Sequence, residues 1–152
     1  MNGLKVIAAF GIGWAISQVI KLIVFMVRKP GEESFQEVAA QLFKSGGMPS
    51  SHAASFGAAM WCLGVMNGFQ SEMFALAVCM YIIVIYDAVN VRYAVGEQGK
   101  ALKKLVAAVP KETREKLAGM KKIEIVEGHT VAQVFVGAML GCVVGCLVAV
   151  LV

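Results

Sequence analysis

The stretch from Thr130 to Val152 reads TVAQVFVGAMLGCVVGCLVAVLV and contains no charged residue. A helix needs about 20 mainly apolar residues to cross the hydrocarbon core of a bilayer, because each residue advances it by about 1.5 Å. This uninterrupted run therefore predicts a transmembrane helix over residues 130–152.

Three further apolar stretches predict transmembrane helices over residues 4–27, 49–66 and 73–89. Of the 152 residues, 59% are hydrophobic and 16% are charged, whereas soluble domains have about 45–50% and about 25%. The predicted fold is an all-α integral membrane protein with about four transmembrane helices. The length allows one membrane domain over residues 1–152 and no second core.

Two polar connections are predicted, over residues 28–48 and 91–128, with short amphipathic helices in both. The patterns favour a surface helix near residues 34–43, and one or two helices broken near Pro110 in the second connection. The two connections contain 12 Lys and Arg residues, whereas residues 67–72 contain none. Because positively charged loops usually stay in the cytoplasm, both connections are predicted to be cytoplasmic and both termini to lie on the other side.

Polar side chains gather near the cytoplasmic ends of the predicted spans. They are Lys21, Arg28, Ser50, Ser51, His52, Asp87, Arg92, His129 and Gln133. Ionisable groups at membrane depth are costly, so they usually face the interior of a bundle and serve a function. Other interpretations stay open, since Lys21 can extend to the headgroups, Arg28 can determine topology, and the histidines can be interfacial polar residues.

The cations among these residues favour binding of a phosphate group. Lys21 and Arg28 are seven residues apart, which places them two turns apart on one helix face, and Arg92 adds a third cation. Arg grips phosphate oxygens with two hydrogen bonds, while Lys acts as a point charge. Gly47 lets the backbone approach an anion near the start of the second span, and the Ser50 and Ser51 hydroxyls are possible donors.

The two histidines of the chain, His52 and His129, favour phosphoryl transfer. One can attack phosphorus while the other protonates the leaving oxygen. No carboxylate cluster in the sequence suggests a metal, so neither a metal nor a cofactor is expected. Asp87 is interpreted as a supporting residue that pairs with Arg92 or Lys21.

The segments Gly47-Met48-Pro49-Ser50-Ser51-His52 and Gly128-His129-Thr130 resemble motifs of one family. It is the divergent branch of the type 2 phosphatidic acid phosphatase superfamily, which is related to vanadium haloperoxidases. Lys21 and Arg28 match its first motif, Pro49, Ser50 and His52 its second, and Arg92 and His129 its third. The resemblance implies that His129 is the nucleophile and His52 the general acid. Gln133 stands where the family places the aspartate that orients the nucleophile.

The resemblance implies a metal-independent membrane phosphatase that hydrolyses a lipid phosphate monoester or diphosphate through a phosphohistidine. The expected location is a bacterial plasma membrane, with the site facing the cytoplasm. The alternative is a weakly active or inactive relative that binds a lipid headgroup or a protein partner. A transporter is less favoured, because the polar residues gather at one face.

The expected partners are a lipid phosphate substrate and membrane lipids, but no nucleic acid. The basic stretch over residues 100–122 is interpreted as a surface that attracts lipid. Four spans are fewer than the six usual for membrane members of the superfamily, which makes a homodimer plausible. Gly137, Gly141 and Gly145 predict close helix packing, within the chain or between subunits.

Overall fold

The computed structural model describes residues 2–28, 47–110 and 128–152, which form helices without a strand among them. In chain order the helices are α1 (Asn2–Arg28), α2 (Ser51–Asn67), α3 (Glu72–Tyr86), α4 (Arg92–Ala108) and α5 (Val131–Leu151). A π-helical segment, Asp87–Val91, joins α3 to α4. The all-α class predicted from the sequence is confirmed. The helix predicted near residues 34–43 lies outside the described residues.

Three described segments are long and apolar enough to cross a membrane: Gly3–Val27, Glu72–Ala108 and Val131–Leu151. Helix α2 corresponds to the remaining predicted span, and it packs against α1, α3 and α5. Its 17 residues extend about 25 Å at 1.5 Å per residue, which is at the short end of the range for a spanning helix. Because it contacts three other helices, α2 is the central helix of the bundle.

The helix that begins at Glu72 continues beyond residue 89, where the third span was predicted to end. Helix α4 corresponds to the first amphipathic helix predicted in the connection from residue 91, and it follows the apolar helix without a loop. Helix α4 ends at Ala108, and Val109 is extended with φ −77° and ψ 143°. A residue that precedes a proline disfavours the helical conformation, so Pro110 accounts for this end, close to where it was predicted.

The described residues place apolar side chains outside the bundle and several polar ones inside it. Leu4, Ile83 and Val150 are among the large hydrophobic residues that are more than 60% exposed. Buried polar residues include Ser17, Gln18, Lys21, Ser50, Ser51, Ser55 and His129. Soluble proteins rarely expose contiguous apolar surface on this scale. A bilayer around the bundle accounts for the apolar surface, and the buried polar residues mark where a site can lie.

The glycine stripe of α5 packs against α2 of the same chain. A Cβ atom added at Gly141 would lie 2.7 Å from the Ala54 carbonyl oxygen and 2.9 Å from the Ala58 backbone nitrogen. An addition at Gly137 would likewise meet the backbone of Ser50, the N-cap of α2, and one at Gly145 would meet the backbone of α2 itself. Small residues let membrane helices approach closely. The close approach matters because, within a bilayer, helices associate through van der Waals contact and not through the hydrophobic effect. The stripe therefore serves packing within the chain, while a homodimer stays a prediction.

The substitution Gly141→Ala is expected to destabilise the bundle by about 1–3 kcal/mol, because the added methyl group pushes against rigid backbone atoms. The matched control is Gly11→Ala in α1, where a Cβ atom would have nothing within 4 Å. That control should be neutral or stabilising by up to about 1 kcal/mol, since alanine favours helix more than glycine does. Thermal unfolding in detergent measures both, and equal melting temperatures for the two variants would contradict the close packing.

Candidate functional site

The starts of α2 and α5, the π-helical segment and Lys21 of α1 meet at one end of the bundle and bring the polar residues together. The Ser50 backbone N–H, just before α2, donates to the Gln133 carbonyl in the first turn of α5 (3.0 Å). The His129 backbone N–H donates to the Ala88 carbonyl in the π-helical segment (3.1 Å). Lys21 of α1 reaches the same region through Ser51. The convergence predicted from topology is therefore seen in the described residues.

The side chain of Lys21 is buried, with 4% of its surface exposed. Its ammonium group donates a hydrogen bond to the Ser51 hydroxyl over 3.1 Å, and its alkyl chain passes 3.9 Å from where a Cβ of Gly47 would lie. Lys21 therefore points into the bundle rather than towards the headgroups. In the described part of the chain, neither ion pair involves Lys21. A buried ammonium is costly unless it is paired, which makes Lys21 a candidate ligand for an anion.

The residues before α2 shape the backbone beside Lys21. Gly47 has φ +83°, a conformation that glycine adopts without the steric cost that other residues incur. Ser50 is fully buried and caps α2, because its hydroxyl oxygen accepts the Ala53 backbone N–H over 3.4 Å. A hydroxyl has one hydrogen to donate as well as lone pairs to accept. The predicted role of Ser50 as a phosphate donor is compatible with its capping role.

His52 and His129 lie edge to face, with ring centroids 6.3 Å apart and planes inclined at 65°. His129 is almost fully buried at 2% exposure, while His52 is half-buried. The two rings come from different helices that the sequence separates by 77 positions, and the α2–α5 contact brings them together. Two groups that can exchange protons near neutral pH are thus adjacent in the site.

Gln133 fixes the orientation of the His129 ring. The Gln133 side-chain oxygen lies 3.3 Å from His129 Nδ1 and also accepts the Thr130 backbone N–H over 3.0 Å. An amide oxygen can only accept, so the ring carries its hydrogen on Nδ1 and leaves the Nε2 lone pair free. Thr130 in turn caps α5 by accepting the Gln133 backbone N–H, which completes a capping box. The cap therefore holds Gln133 against the ring.

The charge state of His129 follows from its surroundings. Burial lowers the pKa of His129 below its ordinary value of 6.5, the hydrogen bond to Gln133 opposes that shift, and the positive charges of Lys21 and Arg92 lower the pKa further. Since the net shift is downward, the ring is neutral at pH 7. A neutral imidazole is the form that can act as a nucleophile.

The π-helical segment places Asp87 against Arg92. The Arg92 Nε donates to the Asp87 carboxylate over 2.6 Å, and both side chains are about 40% exposed. The residues are five apart, the spacing that a π-helical turn brings onto one face. Of the two partners predicted for Asp87, Arg92 is the one observed. Within the described residues Asp87 engages Nε, and a guanidinium has four further N–H donors on its outer nitrogens that can contact an anion.

Arg28 closes α1 two turns beyond Lys21, and its side chain lies outside the described part of the structure. Two contributors to the site were not identified from the sequence: the Ala88 carbonyl, which anchors His129, and Thr130, which holds Gln133. Thr130 had a readable signal, since Thr-x-x-Gln before an apolar run is a capping-box pattern. Ala88 had none, because its role depends on the π-helical turn.

Fold and site together define a helical membrane protein with two adjacent histidines and a buried lysine at one end of its bundle. The chain belongs to the divergent PAP2 family, whose sequence model matches residues 3–144. This confirms the resemblance inferred from the motifs. The chain is also 31% identical over 134 residues to YuiD, an uncharacterized membrane protein of Bacillus subtilis (strain 168), across 82% of this chain and 81% of YuiD. No solved structure matches the chain.

Proposed function

We propose that the protein is a membrane lipid-phosphate phosphatase that works through a phosphohistidine on His129. The observation that carries this proposal is the pairing of the two histidine rings beside the buried Lys21. Buried polar clusters of this kind are expensive in a membrane bundle and usually mark a functional site. Family membership supports the same reaction class, because the family is a divergent branch of phosphatidic acid phosphatases.

The substrate phosphate would bind among the cations at the end of the bundle. Lys21 and Arg92 act on it from α1 and from the start of α4, and Arg28 continues the Lys21 face of α1. The Ser50 and Ser51 hydroxyls and the N-terminus of α2 add donors. These groups neutralise the charge of the phosphate oxygens, which is the main electrostatic requirement of phosphoryl transfer.

The chemistry then divides between the histidines. His129 Nε2 attacks phosphorus, the bond between phosphorus and the lipid oxygen breaks, and His52 gives its proton to that oxygen. The lipid alcohol leaves. The phosphorylated ring keeps its hydrogen on Nδ1, which still donates to the Gln133 side-chain oxygen. Water then attacks the phosphohistidine while His52 takes up a proton. Inorganic phosphate is released and both histidines return to their starting forms.

A second candidate function is headgroup binding with weak or no turnover, and Gln133 is the observation that favours it. The ring becomes positively charged when His129 is phosphorylated, and an amide stabilises that charge less than a carboxylate does. Gln133 already satisfies both the cap and the ring, so the site is well ordered whether or not it turns over. Activity measurements separate the two candidates.

Phosphate release should be detectable from at least one member of a panel of phosphatidate, phosphatidylglycerophosphate and prenyl phosphates in detergent micelles. The rate should be unchanged by a chelator and suppressed by vanadate, because histidine and cations can bind a pentacoordinate phosphate mimic without a metal. Loss of phosphate release on addition of the chelator, restored by Mg²⁺, would contradict the metal-free mechanism. Saturable binding of the same lipids without release would favour the headgroup-binding alternative.

The site is proposed to face the cytoplasm, following the positive charge of the two polar connections. Single cysteines at Lys104 and Gln70, in a background without the four native cysteines, report the orientation, since both positions are exposed. An impermeant maleimide added to intact cells should label position 70 and not position 104. Labelling at position 104 alone would place the site on the opposite leaflet.

A further inference from the structure

A groove of about 370 Å³ runs between α1 and α2 on the outer side of the bundle, directly beside the histidine site. It is lined by Phe10, Trp14, Ser51, His52, Ser55 and Phe56. The volume lies within the range of about 300–1,000 Å³ that is typical of small-molecule sites. Its walls are mainly aromatic, and its polar members are at the end where α2 begins. The groove thus has one polar end and one apolar end.

The polar end of the groove is shared with the proposed phosphate site. Ser51 lines the groove and accepts the hydrogen bond from the buried Lys21, while His52 lines the groove and stacks edge to face on His129. A ligand in the groove would therefore place one end within reach of Lys21 and both histidines. Charge complementarity requires that end to be anionic.

The apolar end opens towards the lipid. Phe10 of α1 and Phe56 of α2 meet edge to face with ring centroids 5.2 Å apart. Phe56 lies four residues after His52 along α2. Phe10 is 38% exposed and Trp14 is 44% exposed, so both rings have one face on the surface of the bundle. Four helical residues correspond to about 6 Å. A chain that starts at His52 therefore passes over aromatic rings before it reaches the surrounding bilayer.

We propose that this groove binds the part of the lipid hydrocarbon chain that is nearest the phosphate, while the phosphate itself lies among Lys21, His52 and His129. The inference rests on the proposed function and deepens it, because it assigns the site to phosphates carried on a hydrocarbon chain. A cavity of about 150 Å³ holds one benzene molecule. By that scale the groove holds roughly fifteen carbon atoms, which is enough for a segment of one hydrocarbon chain.

The groove contains one of the two tryptophans, which allows chain binding to be measured without turnover. The substitution Trp61→Phe leaves Trp14 as the reporter in the groove, and Trp14→Phe leaves Trp61, which stacks on Phe69 after the far end of α2. The probe is dodecylphosphonate with bromine near the middle of the chain, because bromine quenches nearby indole fluorescence and the P–C bond is not hydrolysed. Bromododecanol, which lacks the phosphonate, is the control for partitioning into micelles.

Trp14 fluorescence should be quenched saturably by the phosphonate, at a concentration about tenfold lower than by the alcohol, since hydrogen bonds to a charged group add to the affinity. Excess unbrominated dodecylphosphonate should reverse the quenching. Trp61 should respond equally to both compounds. Equal quenching of Trp14 by alcohol and phosphonate, or saturable quenching of Trp61 with the same midpoint, would overturn the assignment of the groove.

Blocking the groove gives an independent measurement. The substitution Ser55→Leu adds apolar volume inside it, and Ala59→Leu adds the same side chain one turn further along α2, outside the lining. In the Trp61→Phe background, Ser55→Leu should make the phosphonate and the alcohol quench Trp14 at the same concentration. Ala59→Leu should leave the tenfold difference between the two concentrations unchanged. A Ser55→Leu variant that keeps this difference would contradict chain binding in the groove.

The outcomes separate this inference from the proposed function. Saturable quenching of Trp14 without phosphate release from any lipid supports the groove and contradicts the phosphatase. Phosphate release without selective quenching of Trp14 supports the phosphatase and contradicts the groove.

Discussion

Replacing His129 by alanine is expected to abolish phosphate release, with a loss of roughly 10⁴-fold or more, because the nucleophile is removed and the remaining histidine, His52, is assigned to proton transfer. The ring is almost fully buried, and with the Nδ1 hydrogen directed at Gln133 its Nε2 is the nitrogen that carries the lone pair. The measurement is initial-rate phosphate release in detergent, compared with the wild type under saturating substrate.

The matched control for His129→Ala is Ser17→Ala. Ser17 is also a buried polar residue, but its hydroxyl donates to the Trp14 carbonyl within α1. The control should keep its activity, and gel filtration should show that both variants remain folded. Residual release above about one hundredth of the wild-type rate in folded His129→Ala would show that another group attacks phosphorus.

The second large effect is expected from Gln133→Glu, which should raise turnover by about tenfold. A hydrogen bond to a charged acceptor contributes about 1–2 kcal/mol more than one to a neutral acceptor, and the charge on the ring develops as the phosphohistidine forms. Glutamate serves the capping box as well as glutamine does, so the bond from the Thr130 N–H is preserved. Gln133→Ala should lower turnover, because the ring loses its orienting partner.

The pH profile distinguishes this role of Gln133 from a purely structural one. A carboxylate beside Nδ1 favours the charged ring and so raises the pKa of His129, which burial holds below 6.5 in the native protein. Since the neutral ring is the nucleophile, activity lost on acidification should be lost at a higher pH in Gln133→Glu than in the wild type. A folded variant with an unchanged profile and unchanged or lower turnover would contradict Gln133 as the partner of the nucleophile.

The sequence predicted most of the fold because membrane helices are limited by length and hydropathy, and both are visible in the residues. It also predicted that Lys21, His52, Arg92 and His129 converge, since an even number of crossings returns the polar connections to one face. It did not predict that the helix begun at Glu72 continues through the π-helical segment to Ala108.

The π-helical turn coincides with a tertiary contact that the local sequence pattern does not report. Asp87–Val91 widens where the Ala88 carbonyl accepts the His129 N–H, and that residue is 41 positions later in the chain. Hydropathy along one helix carries no information about such a contact. The glycine stripe of α5 illustrates a similar limit, because its spacing predicts close packing but not which helix it meets. Only the structure assigned it to α2.

The central claim is that the phosphoryl group is transferred to His129, and isolating the phosphoenzyme tests it most directly. The substrate is an aryl phosphate labelled with radioactive phosphorus, whose good leaving group needs no proton from His52. The enzyme is His52→Ala, in which the group that activates water for the second step is missing. The prediction is a stoichiometric label that is stable to alkali and released by acid, located on the peptide containing His129. Label on a different residue, or free phosphate formed at the wild-type rate without any labelled protein, would contradict the mechanism.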